Sequence, residues 1–481
     1  MNHYELELEA DLTTNEDGKP KDSYLLGASA GIAKIILRNN HFARDEGGKL
    51  YWYKDGVYKP GAENAIRLAV VELFDVLGKG SKFIWTKAKG EEVYNYIQIK
   101  APHLLAVPDI LRINLRNGIY DVTLRELIPH TPSYRTTVQI NVHYDPLASC
   151  PNWDKFINSV FPEGEGKQLG YEIPAWLMVP YTESQKSVVL LGSGANGKSI
   201  YLHCILEFLG EENTCNLPLH RLSDRFATTL LLDKLANVSP DLPNTKLAST
   251  SEFKALTGGD FITGEYKHGG QFKFKPYARC LFACNELPDS PDASDGFYRR
   301  LNIIEFERKF KEDPEMGRKL KQALTTKREL AGLFNKCLSY LPSVLKHGIT
   351  ETEKMKSIVE EHRRESDPVA QWLEDCTIED EGPNGFVVKS DLFEAYQESG
   401  AIGRAAKNQV AFGRAVRRYR PSIKTKQMRM GELGTMNVYA GLRLKTPEED
   451  VDWGASDDSF ELEGEDLEVV GIELEEQEVS N

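Results

Sequence analysis

Two hydrophobic periods alternate along the chain, and the places where one gives way to the other mark its organisation. Apolar residues at helical spacing in "AENAIRLAVVELFDVL" (Ala62–Leu77) predict an amphipathic helix, whereas "KLYWYKDGVYKP" and "NGIYDV" read as short strands. This mixture runs from about residue 25 to 148 and contains no catalytic cluster. "PNWDKFINSVF" (Pro151–Phe161) then opens a helix. Beyond it, to about residue 310, apolar strands alternate with helices, as in an α/β domain. "GRKLKQALTTKRELAGLFNKCLSYL" predicts helices over 311–365, and a compact segment follows from Asp367 to Lys445. The first 22 residues are polar and expected to be loose, and no repeat of solenoid period is visible.

Length and composition narrow the class. At 481 residues and 41% hydrophobic content the chain holds more than one domain with sizeable cores. It has no apolar run of about 18 residues, so no membrane span is expected. "MNHYELELEADL" lacks the basic-then-apolar order of a secretory signal. Seven scattered cysteines suit a reducing compartment, and the expected location is cytoplasmic, the bacterial nucleoid or a host cell interior. Cys280 and Cys284 in "RCLFACN" share one face of a strand by period two, which favours a buried strand over half a metal site.

The net charge of −14 conceals a segregation. Thr446–Asn481 carries 15 acidic residues and no Lys or Arg, leaving 58 acidic against 59 basic residues in the body. An acidic tail on a partly basic body is a layout common among nucleic-acid proteins.

The sharpest chemistry lies in "SVVLLGSGANGKSIYLHCILEFLG" (Ser187–Gly210). Four apolar residues lead into Gly192, Ser193, Gly194, Ala195, Asn196, Gly197, Lys198 and Ser199, and an apolar helix begins near Ile200. Glycines let backbone N–H groups turn onto phosphates, and the helix N-terminus adds its dipole. Lys198 would reach the outer phosphates and Ser199 would ligate Mg2+, which makes ATP the expected ligand. Downstream, "LDKLANVSPDLP" reads as a buried strand ending at Asp241, placed to hold the magnesium shell and polarise water. In "DFITGEYKHGGQFKFKP", Ile262, Gly264 and Tyr266 alternate with Thr263, Glu265 and Lys267, predicting a hairpin with Lys267 and His268 at its tip. "CLFACN" presents Asn285 at a strand end, where its amide could order the attacking water. "GFYRRLNIIEF" carries Arg299 and Arg300 just before another apolar strand.

The ordered set "GSGANGKS", "LANVSPDLP", "KALTGGD…EYKH", "LFACNELP" and "FYRRLNIIEF" resembles the superfamily 3 helicases, most closely the poxvirus-type and satellite-phage primase–helicases. Also family-like are "RNGIYDVTLRELIPHTP", "VHYDPLASCPNWDKF" and the segment after Asp367, so the likeness covers roughly residues 100–445. The resemblance implies an AAA+ type P-loop ATPase core with an α+β N-terminal domain and a C-terminal winged-helix module. It assigns Lys198 and Ser199 to phosphate and magnesium, and Asp241 to the second acidic motif. It matches Lys254, Gly258, Gly259 and Lys267 to the motif particular to this superfamily, with Lys267 on the hairpin that lines the DNA channel, and Lys254, Lys267 and His268 are the expected DNA contacts here. Asn285 matches the sensor. Arg300, with Arg299 as the alternative, matches the finger that reaches the neighbouring subunit's site. Two departures stand out. Asp241 lacks the adjacent second acid of many members, which leaves Asp241 or Glu252 as general base. Nothing before residue 150 looks like the paired-aspartate core of a primase, so a helicase without its own primase is expected.

From Ala401 to Gly431 there are nine basic residues and no acid: Arg404, Lys407, Arg414, Arg417, Arg418, Arg420, Lys424, Lys426 and Arg429. On a helix through "NQVAFGRAVRRY", Phe412, Ala415, Val416 and Tyr419 share one face and Arg414, Arg417 and Arg418 the other, which suits duplex DNA. "KTKQMRMGELGTMNVYAGLRL" reads as a following hairpin, giving helix–helix–wing.

The expected organisation is a flexible N-terminus (1–24), the N-terminal α+β domain (25–148), the ATPase domain (149–312), a helical lid or linker (313–365), the winged-helix domain (366–445) and a disordered acidic tail (446–481). The resemblance implies a ring, expected to be a hexamer, moving 3′-to-5′ on single-stranded DNA, with a separate primase or replication protein as partner and no membrane. The alternative is an ATP-switched replication initiator or scaffold that does not unwind.

Overall fold

A computed structural model describes residues 16, 19, 21–77, 85–161, 164, 166–243, 247, 249–267, 269–288, 294–311, 313–382, 385–399, 408–430 and 434–446. His268, Arg404, Lys407 and the acidic tail from residue 447 lie outside them.

After a 3-10 turn at Lys21–Gly27 comes α1 (Ser29–Ile36), followed by the antiparallel meander β1 (Phe42–Arg44), β2 (Leu50–Lys54) and β3 (Val57–Pro60), then α2 (Ala62–Leu77) and α3 (Lys87–Lys100). The two-residue turn between β2 and β3 is Asp55-Gly56, at φ 53° and 83°; both positive angles match the right-handed twist of a hairpin. Ala62, Ala65, Ile66, Ala69, Val70 and Leu73 form the buried stripe of α2, at the spacing expected. A second antiparallel sheet follows from β4 (Arg112–Leu115), β5 (Gly118–Asp121) and β6 (Glu126–Ile128).

The centre of the molecule begins with α4 (Pro151–Val160), α5 (Gly166–Leu177), β7 (Ser187–Leu191) and α6 (Lys198–Leu209). It continues through β8 (Thr214–Cys215), β9 (Ala236–Ser239), α7 (Ser251–Gly258), the antiparallel hairpin β10 (Ile262–Glu265) and β11 (Gln271–Phe274), β12 (Arg279–Cys284), α8 (Asp295–Tyr298) and β13 (Leu301–Glu305). Five of these strands form one parallel sheet in the order β13-β7-β12-β9-β8. Its strands are almost wholly buried because both faces are covered. Val188, Leu190, Leu281, Ala283 and Ile304 join the core containing Tyr201, Ile205 and Phe208 of α6. The alternate residues Val189, Cys280, Phe282, Cys284 and Ile303 join the core containing Phe253 and Leu256 of α7. Cys280 and Cys284 thus share a face as free, buried thiols.

Three helices follow where helical periodicity places them: α9 (Pro314–Leu324), α10 (Lys327–His347) and α11 (Glu353–Glu365). Each opens on a side-chain cap, Asp313, Thr326 and Thr352 respectively. The last region holds α12 (Pro368–Cys376), β14 (Thr377–Glu379), β15 (Phe386–Val388), α13 (Lys389–Glu398), α14 (Gln409–Tyr419), β16 (Lys424–Arg429), β17 (Thr435–Ala440) and β18 (Leu442–Leu444). Its own small core gathers Trp372, Leu373, Leu392, Tyr396, Phe412, Val416 and Tyr439. Among the described residues no helix is long and apolar enough to cross a membrane.

Candidate nucleotide site and its basic surroundings

The loop after β7 leaves the carboxyl edge of the sheet, where ligands of open α/β sheets bind. Its turn uses Gly194 (φ 103°), Ala195 (φ 48°) and Gly197 (φ 89°). Gly192 is held so tightly that a Cβ would lie 2.2 Å from Asn196 Nδ2 and 2.8 Å from the Phe306 carbonyl oxygen. Asn196 Nδ2 donates to that carbonyl (3.2 Å) and Phe310 N–H donates to Ala195 O (2.7 Å), so the chain leaving β13 laces the loop from one side. α6 starts at Lys198, and its N-cap Gly197 supplies no side chain to the first-turn N–H groups, an arrangement suited to an anion.

Lys198 is buried, at 7% exposure, and its ammonium donates to the Gly192 carbonyl. Burial pushes its pKa down; Cys284 and Asp241 oppose that shift, which puts the Asp241 carboxylate in the electrostatic neighbourhood of the lysine. Register explains the meeting. Leu191 pairs with Cys284 of β12, and Leu242 N–H donates to Ala283 O (2.8 Å), so Asp241 comes level with the end of β12. Ser199, Asp241 and the adjoining Asn285 are exposed at this edge. Glu252 sits in the first turn of α7, where its Oε2 accepts from Ser251 Oγ (2.7 Å) and Ser249 Oγ (3.3 Å). The donor set fits a magnesium nucleotide: an uncapped helix start, a buried cation, and a hydroxyl and a carboxylate at one edge.

The arginine pair lies at the opposite edge. Ser187 N–H, at the start of β7, donates to Arg300 O (2.7 Å), and the strands that follow both residues run toward the phosphate loop. The five residues of β13 span about 16 Å at ~3.3 Å each, so neither arginine reaches the phosphate loop of the same chain. Arg299 is exposed, whereas Arg300, expected as the finger, is 8% exposed and engaged within its own chain. Its Nε donates to Thr257 Oγ1 (2.9 Å), and Nη1 donates to Gly296 O. Burial and then the adjacent Arg299 cation lower its pKa, with Asp260 acting the other way. Of the adjacent pair, Arg300 is thus the one packed into the chain and Arg299 the one exposed to solvent.

The β10–β11 hairpin forms with Ile262 opposite Phe274, and Gly269 N–H closes its turn on Tyr266 O (2.8 Å). Lys267 is exposed at the turn. Lys254 is half-buried on α7, and its Nζ donates to Ser294 Oγ (3.4 Å) ahead of α8.

The described residues also reveal partners for the hairpin that no local sequence signal indicated. Tyr266 Oη donates to Asp45 Oδ2 (2.9 Å), and Gly47 is pressed against the Tyr266 and Phe272 rings. Beside them lies Asp233, in the left-handed region at φ 59°, with Oδ2 buried and without a hydrogen-bond partner. Burial pushes the Asp233 carboxyl up to about 7, and Asp45 adds to the effect.

On α14, Phe412, Ala415 and Val416 are buried while Arg414, Arg417 and Arg418 are exposed, the division expected from spacing. β16 and β17 pair antiparallel, and Lys424, Lys426 and Arg429 of β16 are exposed. The charge of Arg418 also reaches Asp295 of α8, which Arg363 of α11 engages directly.

Residues 41–162 match the family described as D5 N terminal like, and residues 190–300 match a family of unknown function, DUF5906. The chain is 23% identical over 311 residues to "Putative helicase L207/L206" of Acanthamoeba polyphaga mimivirus, covering 60% of this chain and 32% of that protein. It is 22% identical over 225 residues to "Putative helicase 121R" of Invertebrate iridescent virus 3, covering 42% of this chain and 23% of that protein. The chain therefore spans about a third or less of the length of these relatives. Among solved structures, the apo structure of the NrS-1 C terminal region (305-718) superposes with a TM-score of 0.52 at 14% identity, covering 85% of this chain and 98% of that one. That likeness is one of fold. Taken together, the chain is similar to helicase-named proteins of large DNA viruses, on a mixed α/β fold with a five-stranded parallel sheet.

Proposed function

We propose that this chain is the motor part of a superfamily 3, AAA+ type DNA helicase that acts in replication. In this reading it forms a ring, a hexamer in the family it resembles, and moves 3′-to-5′ on single-stranded DNA. The observation that carries the reading is the division of the sheet: phosphate loop, Asp241 and Asn285 at one edge, and the arginine pair at the other. That division calls for a neighbouring subunit to complete each site.

Magnesium, held by Ser199 and Asp241, would neutralise phosphate charge during transfer to water. Lys198 binds the outer phosphates, Asp241 and Asn285 orient the attacking water, and Arg299 of the adjacent subunit stabilises the developing charge. Lys267 engages the backbone of single-stranded DNA. Residues 366–445 act as a winged-helix module that holds duplex through Arg414 and Arg417, and the acidic tail competes with DNA for that face.

Strand displacement on forked DNA tests the reading: ATP-dependent release of the displaced strand is expected. ATP-dependent DNA binding without release would favour the second reading, a replication initiator switched by ATP. The specific observation behind that reading is the tie between the hairpin and Asp45, which restrains the element that would have to move.

A further inference from the structure

Arg300 hydrogen-bonds to three segments that lie near the exposed Arg299 and the α7 end leading to the β10–β11 hairpin. Its Nε donates to Thr257 Oγ1 (2.9 Å), Nη1 to Gly296 O, and Nη2 to Gln185 Oε1 (3.5 Å). Thr257, in the last turn of α7, is buried, and its hydroxyl donates to Phe253 O (2.7 Å), so its lone pairs are turned toward the arginine. From Thr257 the chain passes through Gly258, Gly259, Asp260 and Phe261 into β10.

The glycine pair packs closely at this turn. A Cβ at Gly259, which is itself at φ 69°, would lie 2.7 Å from Thr182 Oγ1. Gly258 is next to the guanidinium, a Cβ there falling 3.8 Å from Arg300 Nη2, an ordinary contact distance. Gln185 completes the cluster. It is held in the left-handed region at φ 52°, a conformation costly for a residue with a side chain, and its Oε1 also accepts from Arg299 Nη2 (3.2 Å). One neutral acceptor is thus shared by two adjacent cations.

We propose that Arg300, with Thr257 and Gln185, is a positioning residue that makes Arg299 and the root of the hairpin a single body. Movement of Arg299 toward a neighbouring subunit's nucleotide is carried through the guanidinium into Thr257 and the Gly258-Gly259 turn, and so to Lys267. The inference deepens the proposed function and rests on it.

The test uses the full chain and compares ATP turnover with the number of strands separated per ATP hydrolysed. Thr257→Val keeps the shape and removes the acceptor; Thr257→Ala removes it without a branched side chain, should the valine fail to fold. Basal turnover stays at the wild-type level in both, while strands separated per ATP fall about tenfold, the scale of one lost charge-assisted hydrogen bond. Thr257→Ser restores the ratio, because it returns the hydroxyl. A wild-type ratio in Thr257→Val or Thr257→Ala, or a serine variant as poor as the valine, overturns the inference while leaving the helicase reading intact. Wild-type protein that turns over ATP without separating strands removes that reading, and this inference with it.

Discussion

Tyr266 and Asp45 meet through a 2.9 Å hydrogen bond although they stand 221 residues apart in the chain. The contact ties the β10–β11 hairpin to the turn between β1 and β2, where Asp45 Oδ1 also accepts from Lys49 N–H (2.8 Å). Asp45 is buried, so its carboxylate depends on these donors rather than on water.

A double-mutant cycle measures the tie. Tyr266→Phe and Asp45→Asn are each expected to destabilise the protein. Their coupling energy should be about 1–2 kcal/mol in urea unfolding, the range for a hydrogen bond to a charged group in contact. Strict additivity would show that the two side chains do not depend on one another.

Asp233 predicts a pH dependence of definite sign. Its carboxyl stands at about 7 against an ordinary 3.8, so between those values the folded protein holds a proton that the unfolded chain has released. Stability therefore falls as pH rises across that window, by at most about 1.4 kcal/mol per pH unit. The groups facing it are Asp45 and Glu46, Lys234, and the hydroxyls of Tyr51, Tyr266 and Tyr277; Lys234 alone opposes the shift. Asn tolerates the left-handed φ of this position, so Asp233→Asn isolates the charge. The variant should flatten the decline and be more stable than wild type at pH 7.5. Parallel unfolding curves for the two proteins from pH 5 to 7.5 would contradict the assignment.

Lys198→Ala should abolish ATP turnover, by about 10²–10³-fold or more for the loss of a preorganised electrostatic group. It should cost little stability, because Lys198 is a buried cation whose removal relieves desolvation even as Gly192 O loses its donor. The melting temperature and ATP turnover are to be measured on the same preparation. Turnover near wild type would remove Lys198 from the chemistry.

The features legible in the sequence are those fixed over short spans. The phosphate loop follows from eight consecutive residues, the hairpin from period two in Ile262–Phe274, and the two faces of α14 from helical spacing. What the sequence left open depends on register and on long-range contact. Arg299 and Arg300 are adjacent, and which one turns inward is decided by Thr257, 43 residues earlier. Lys254 carries no mark that would send it to Ser294. Asp233 and Asp45 look like ordinary turn residues until the fold brings them to one hairpin.

Two alanine substitutions separate the arginines, and mixed subunits test the shared site. Arg299→Ala removes an exposed side chain and should leave the unfolding midpoint unchanged. Arg300→Ala vacates a buried, multiply bonded position and should cost roughly 2–4 kcal/mol. Arg299→Ala alone should lower ATP turnover by about 10³-fold or more, the scale of arginine fingers in other nucleotide hydrolases. Mixed with Lys198→Ala subunits, it should recover activity. Each interface takes its lysine from one subunit and its arginine from the next, so about a quarter of the interfaces in a random equimolar ring have both. Recovery should vary with the mixing ratio and peak at equal amounts. If the two variants co-assemble, as labelled subunits can show, and stay inactive at every ratio, Arg299 does not act on a neighbour.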